Sequence, residues 1–341
     1  MAPGLGVELD HQEIKRHPYQ PVDLGFWSAD SVMETVDLRP RERDPFMVAA
    51  ESNVLVAALV HADVGEGPCW DEATSTPIFV DVTPGIIYRL NPDTGYLASR
   101  SIGQEVGAAI PRMAGGLVVA ARDGIGFLDD DSRAQLVIVA PIEADNRGNR
   151  MNDAKCDPAG RLWAGTMAFD FTRGAASLYR IEADGRHEQV LSHLTISNGL
   201  GWSPAGTTMY FIDSGDNAVD AFTYDPDTGA IRDRRRLVEF GGGEGMPDGL
   251  TVDADGHLWV AMFGAGSVRR FSPLGVPSGG VRLPVSQVTS VAFGGEALDT
   301  LFVTSAAHML TPDGLRREPL AGATFCCRPG PTGLPAVQFA G

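Results

Sequence analysis

The chain has 341 residues, 43% of them hydrophobic, and a formal net charge of −17. It can bury a large core, but it lacks the basic face that nucleic acid or an anionic membrane surface requires. The 41 glycines and 23 prolines lean toward a turn-rich β fold, and Cys69, Cys156, Cys326 and Cys327 form no CxxC pair, which implies reduced thiols and a cytoplasmic location.

The first residues, "MAPGLGVELDHQEIKRHPYQP", have no basic region followed by an apolar stretch, so no secretory signal is expected. No apolar run anywhere approaches the roughly 18 residues of a membrane span. Residues 1–50 read as an N-terminal extension, with one possible helical turn near Asp10–Arg16. The charged, Pro-bounded "RPRERDPF" at 39–46 reads as surface wrapping or a linker. The remaining domain is expected over 51–341. Its first segment, "NVLVAALV" at 53–60, is a strand that stands ahead of everything repetitive.

Six apolar segments then recur: "PIFVDV" (77–82), "GLVVAA" (116–121), "RLWAGTM" (161–167), "TMYFIDS" (208–214), "HLWVAMF" (257–263) and "TLFVTSA" (300–306). With Phe79, Val118, Trp163, Tyr210, Trp259 and Phe302 as markers, the steps are 39, 45, 47, 49 and 43 residues. That is the period of a four-stranded propeller blade. Segments such as "GIIYRLNPDTG" (85–95) and "AVDAFTYDPDTG" (218–229) follow with alternating polarity into turns. The reading is an all-β, six-bladed β-propeller. The 53–60 strand would pair with the last blade and close the ring, leaving no free edge.

In a propeller the innermost strands surround one channel, so equivalent loop positions converge at its mouth. Counting back 11 to 13 residues from each marker gives Glu66, Val106 or Gly107, Asn152, Asn198, Asp248 and Ser290. Asn and Asp also begin turns, but four oxygen-bearing side chains at one repeat position point to a shared site. Oxygen ligands suit a hard divalent cation such as Ca2+, Mg2+ or Mn2+. Arg150, Asn152 and Asp153 in "RMNDAKCDPAGRLWAGTM" would form one wall of it.

The motifs "GEGPCWD", "RMNDAKCDPAGRLWAGTM", "ISNGLGWSPAGTTMYFIDS", "MPDGLTVDADGHLWVA" and "VTSVAFGG", in that order, resemble the SMP-30/gluconolactonase/luciferin-regenerating family from about Val64 to Gly341. The resemblance implies a six-bladed propeller that opens the ester ring of sugar lactones with one divalent metal ion, Ca2+, Mg2+, Mn2+ or Zn2+. It implies that Glu66, Asn198 and Asp248 are metal ligands, with Asn152 near the metal and Asp248 also the general base. Arg150, Asn152 and Asp170 would meet the substrate. The Asp at 170, in the apolar setting "AFDFTRGAA", makes a shorter wall than the Glu common at that position in the family.

Lactone hydrolysis requires polarisation of the carbonyl oxygen and an activated water, which a divalent cation and a carboxylate can provide. Arg150 would hold ring or carbonyl oxygens through its fork of donors. The rival readings are an aryl-ester lactonase or phosphotriesterase on the same scaffold, and a non-catalytic calcium-binding propeller. No GxSxG elbow and no HExxH pair occurs, and His257 reads as structural. "GGGEGMPDG" (241–249) lacks the Lys-Ser/Thr of a phosphate loop. "RDRRR" (232–236) reads as a solvated hairpin face. The partner expected is a small-molecule lactone, on a monomer or small homo-oligomer, with no nucleic acid and no membrane.

Overall fold

The structure, a computed structural model, describes residues 54–341. The readings made for residues 1–50 lie outside those residues. Twenty-four strands form six antiparallel four-stranded sheets arranged as the blades of a propeller. The innermost strands are β2 (Gly65–Asp71), β6 (Val106–Pro111), β10 (Asn149–Cys156), β14 (Ser197–Trp202), β18 (Met246–Val252) and β22 (Val288–Gly294). All six markers fall on the second strands: β3 (Thr76–Asp81), β7 (Leu117–Ala121), β11 (Leu162–Ala168), β15 (Thr208–Asp213), β19 (Leu258–Phe263) and β23 (Thr300–Ser305).

The last blade is closed from the other end of the described chain. β1 (Leu55–Ala58) pairs antiparallel with β24 (Thr324–Cys327), giving the order β1-β24-β23-β22. The expected pairing of the 53–60 strand is therefore present. It joins the two ends of the ring by backbone hydrogen bonds and hides a sheet edge. A short helix, α1 (Pro312–Arg317), precedes β24; Thr311 caps it by accepting from Gly314 N–H, and Pro312 opens it. This Thr-Pro-Asp start is a helix signal that the strand-centred reading passed over.

The core is a set of wedges between neighbouring blades. One wedge packs Ile110 and Val118 against Met151 and Leu162, and another packs Trp163 and Leu178 against Trp202 and Phe211. Inner and second strands are buried on both faces, whereas the fourth strand of a blade faces water. In β17 (Ile231–Glu239) the "RDRRR" run is exposed, as expected of a solvated face, and Arg234 and Arg236 also grip the buried carboxylate of Asp220.

Part of the repeat is a polar device. In "CDPAGRLW" and "VDADGHLW", Asp157 and Asp253 are fully buried. Each accepts the indole N–H six residues on, Trp163 at 3.0 Å and Trp259 at 2.9 Å. Each also accepts backbone N–H groups of its own hairpin, from Arg161 and from His257. A buried indole N–H needs such a partner. Asp157 additionally holds Arg161 and the hydroxyl of Tyr224 from the next blade.

The far end of the channel is crossed by the C-terminal segment. The carbonyl of Thr332 accepts from Ala254, Gly333 N–H donates to Leu298, Phe339 N–H donates to Pro111, and Ala340 N–H donates to Gly160. The hairpins of four blades are thus tied together by one strap. Leu334–Val337 form the floor of a cavity of about 370 Å³ that includes Trp70, Lys155 and Phe293.

Replacing Asp157 with Ala should cost about 3–5 kcal/mol, because it leaves the buried Arg161 charge without its carboxylate and the Trp163 indole and Tyr224 hydroxyl without their acceptor. Denaturant unfolding measures this, and a loss below about 1 kcal/mol would contradict the role given to this carboxylate.

Candidate active site

Every inner strand breaks its register at the same level. The shifts lie at Glu66/Cys69, Val106/Ala108, Met151/Ala154, Ser197/Leu200, Pro247/Leu250 and Val288/Val291. A bulge puts an extra residue into one strand and re-aims its side chains. Glu66, Asn152, Asp153, Asn198 and Asp248 fall at or within these bulges. The converging residues are therefore strand residues rather than the loop residues that the repeat count implied. In the first blade Gly67 takes φ +54°, and a Cβ there would lie 3.0 Å from the Gly107 carbonyl oxygen, so the bulge needs glycine.

A directed hydrogen-bond relay runs across three blades. The Ser214 hydroxyl, just after β15, donates to the Pro247 carbonyl at 2.6 Å, so it accepts from Asn198 Nδ2 at 2.8 Å. That fixes the Asn198 amide with its oxygen on the other side. There Oδ1 accepts from Asn152 Nδ2 at 2.9 Å, which also donates to the Ser197 carbonyl. The remaining Asn152 oxygen accepts from Arg150 Nη1 at 2.7 Å. Each amide thus has one orientation that satisfies its neighbours.

Against this relay stand carboxylates with too few partners. Glu66, Asp153 and Asp248 are 7%, 6% and 6% exposed. Burial, then the Asp153 charge, pushes Glu66 up to about 8, although it accepts from Gly67 N–H and lies near Arg150. Burial and the charges of Glu66 and Asp153 raise Asp248 well above the usual carboxylate range. Burial also raises Asp153, with Lys155 opposing. Lys155 donates to the Leu250 carbonyl at 2.6 Å, and burial lowers its ammonium. Burial brings Arg150 down to about 10, with Glu66, Glu105 and Asp248 pulling the other way, so it remains a cation at neutral pH. Cys69, deeper in the channel, is pushed up to about 12 by burial and stays a thiol.

Among the described residues no three His, Cys, Asp or Glu side chains are grouped to hold a metal. The donor set is instead two carboxylates, Glu66 and Asp248, with the Asn198 amide oxygen turned toward Asn152. Asn152 gives Arg150 one lone pair of its oxygen and keeps the other. All are hard oxygen donors, and two carboxylates match a 2+ charge, so the residues fit a divalent cation. Asp170 lies outside the relay. It is exposed on the loop after β11, where its carboxylate accepts from the N–H and hydroxyl of Thr172. Ser214, Lys155 and Glu105 were not singled out from sequence, because their importance depends on neighbours from other blades.

The fold and this mouth define a six-bladed propeller whose channel opens on a buried cluster of carboxylates and amides. The family pattern described as "SMP-30/Gluconolactonase/LRE-like region" matches residues 64–307, and the chain belongs to that family. It is 37% identical to regucalcin of Danio rerio over 284 residues, covering 82% of this chain and 95% of that protein. It is 33% identical over 292 residues to a Bacillus subtilis protein named "Putative sugar lactone lactonase YvrE", covering 85% and 99%. Among solved structures, a calcium-binding protein, regucalcin, from Agrobacterium tumefaciens superposes with TM-score 0.80 at 29% identity, covering 83% of this chain and 96% of that one. A luciferin-regenerating enzyme gives 0.78 at 35% identity, covering 85% and 99%.

Glu66 holds its proton up to about 8 in the folded protein, against the ordinary 4.5 of a glutamate in the unfolded chain. Folded protein then binds more protons than unfolded chain between those values, so its contribution to stability is full below pH 4.5 and is lost as pH rises through 8. In chelator, Glu66→Gln should flatten the fall in Tm across this window and raise Tm above pH 8. Parallel Tm–pH curves for the two proteins would show that Glu66 does not carry this burial cost.

Proposed function

We propose that the protein hydrolyses lactones, sugar lactones foremost, with a divalent cation held by Glu66, Asn198 and Asp248 and with Asn152 beside it. The observation that carries this reading is the relay from Ser214 through Asn198 and Asn152 to Arg150. It fixes a neutral oxygen and a guanidinium around two buried carboxylates. A purely cation-buffering mouth has no use for the guanidinium, and a purely structural cluster would not leave like charges buried together. Family membership and the lactonase name of the Bacillus subtilis relative favour the same class of substrate.

When bound, the cation supplies Lewis-acid polarisation of the lactone carbonyl and lowers the pKa of water. Arg150 donates toward the ester oxygens and holds the ring against the wall of β10. The carboxylate of Asp248 takes a proton from the attacking water as its oxygen bonds to the carbonyl carbon. The carbonyl–ring oxygen bond then breaks, and Asp248 returns the proton to the leaving alkoxide, which gives the open hydroxy acid. A carboxylate whose surroundings favour its protonated form is suited to both halves of that exchange. The relay holds Arg150 and Asn198 in place and leaves little reorganisation for the reaction itself.

The test is initial-rate hydrolysis of aldonolactones, with aryl esters and phosphotriesters as comparison substrates, in chelator and with added Ca2+, Mg2+, Mn2+ or Zn2+. Chelation should abolish lactone turnover. Asp248→Asn should lower kcat by about 10²–10⁴-fold, the range for loss of a general base, at every metal concentration. Full recovery by added metal would make Asp248 a ligand only. Preferred turnover of aryl esters or phosphotriesters would overturn the substrate assignment, and absence of turnover with any metal would favour the binding propeller.

A further inference from the structure

The second blade brings no polar side chain from within its bulge. Val106, Gly107, Ala108 and Ala109 make that wall small and apolar, and all are buried. A Cβ on Gly107 would overlap the Asn152 carbonyl oxygen, so β6 and β10 run against each other with Gly107 beside Asn152. Two residues earlier on each strand stand Glu105 and Arg150. Glu105 therefore enters the mouth at the level of Arg150, on the side away from Asn198 and Asp248.

Glu105 is engaged differently from the other carboxylates of the mouth. Its Oε2 is shielded from solvent and faces Arg122 without a hydrogen bond, which leaves Oε1 as the oxygen that can meet a ligand. Its one ion-pair partner among the described residues is Arg122, at 3.4 Å, and Arg122 also reaches Asp123 at 3.3 Å. The side chain is 24% exposed, which is enough to meet a ligand in the mouth. Asp170, by contrast, is exposed to water and has one carboxylate oxygen occupied by Thr172. A carboxylate with one oxygen still open, next to a cation and above a wall of small residues, is suited to accept hydrogen bonds from a ligand.

We propose that Glu105 is a specificity-determining residue that accepts hydrogen bonds from the hydroxyl groups of a polyhydroxylated lactone. The proposal rests on the lactonase reading above and deepens it. Arg150 donates to the ester oxygens while Glu105 accepts from ring hydroxyls, so the pair distinguishes a sugar lactone from a bare one. A site built to bond a hydroxyl rejects the analogue that lacks it far more strongly than an apolar pocket can. The Glu105 charge also acts favourably on the Arg150 cation beside it.

The experiment compares wild type, Glu105→Gln and Glu105→Ala on two substrates, an aldono-δ-lactone and the unsubstituted six-membered lactone, at saturating metal. For the aldonolactone, KM should rise about ten- to a hundredfold in Glu105→Ala and less in Glu105→Gln, as expected for loss of a charge-assisted hydrogen bond. For the unsubstituted lactone both variants should stay within about twofold of wild type, the ordinary effect of a change that removes no contact. Equal impairment on both substrates would overturn the proposal and make Glu105 a support for Arg150 or for the fold. No change on either would also overturn it. Glu105→Gln keeps the size of the side chain and carries the test should Glu105→Ala fail to fold. Wild type that hydrolyses neither lactone would overturn the lactonase reading itself, and the proposal with it.

Discussion

The constraint on which the site depends is the burial of like charge. Glu66, Asp153 and Asp248 share one poorly hydrated volume, and desolvation raises all three. Isolated carboxylates in such a place neutralise or find partners. Two cations help, Arg150 from the rim and Lys155 from within the channel, and both are themselves pushed down by burial. The remaining imbalance is what a divalent cation would relieve. Stability is given up at this mouth, and the six-fold ring around it makes that tolerable.

The ring does so through rigidity of two kinds. Apolar wedges between blades fix how the inner strands stand to one another, as in the packing of Trp163 on Trp202 at 6.1 Å between ring centroids. Buried carboxylates such as Asp157 and Asp253 then tie each hairpin to its tryptophan, and closure by β1 and the C-terminal strap joins the two ends of the circle. On that scaffold a repeated bulge, the same local feature in six strands, turns a strand residue of each blade toward the channel. Different residues at that one position give acid, amide, hydroxyl or glycine, so chemistry varies while geometry is kept. Among the described residues no helix is long and apolar enough to cross a membrane.

Much of this was legible in the sequence, for a physical reason. Propeller blades have a regular period, so Phe79, Val118, Trp163, Tyr210, Trp259 and Phe302 marked second strands, and counting back from them reached the bulges. The unpaired apolar strand before the repeat had only one place to go, beside β24. Relations between blades were not legible. That Ser214 sets the Asn198 amide by donating to Pro247, that Lys155 reaches the Leu250 carbonyl, or that Glu105 shares a level with Arg150 follows from contacts between blades, up to 95 residues apart for Lys155 and Leu250. Asp170 shows the same limit from the other side. Its place in the sequence says that it follows the second strand of the third blade, but only the structure shows its carboxylate turned to Thr172. The α1 helix was passed over because six residues carry no periodicity, although its Thr-Pro start was present.

The central claim, that the mouth is a preorganised cation site kept from full ionisation by its own crowding, is tested most directly by calorimetric titration of a divalent cation into chelator-treated protein in buffers of different ionisation enthalpy. Glu66 is expected to be protonated at pH 7, since burial holds it up to about 8. Binding should therefore take up about one cation per chain and release protons at pH 7, as metal binding to protonated ligands must, with that release fading as pH rises above 8. Binding without proton release at pH 7, or no binding by any of Ca2+, Mg2+, Mn2+ and Zn2+, would contradict the account.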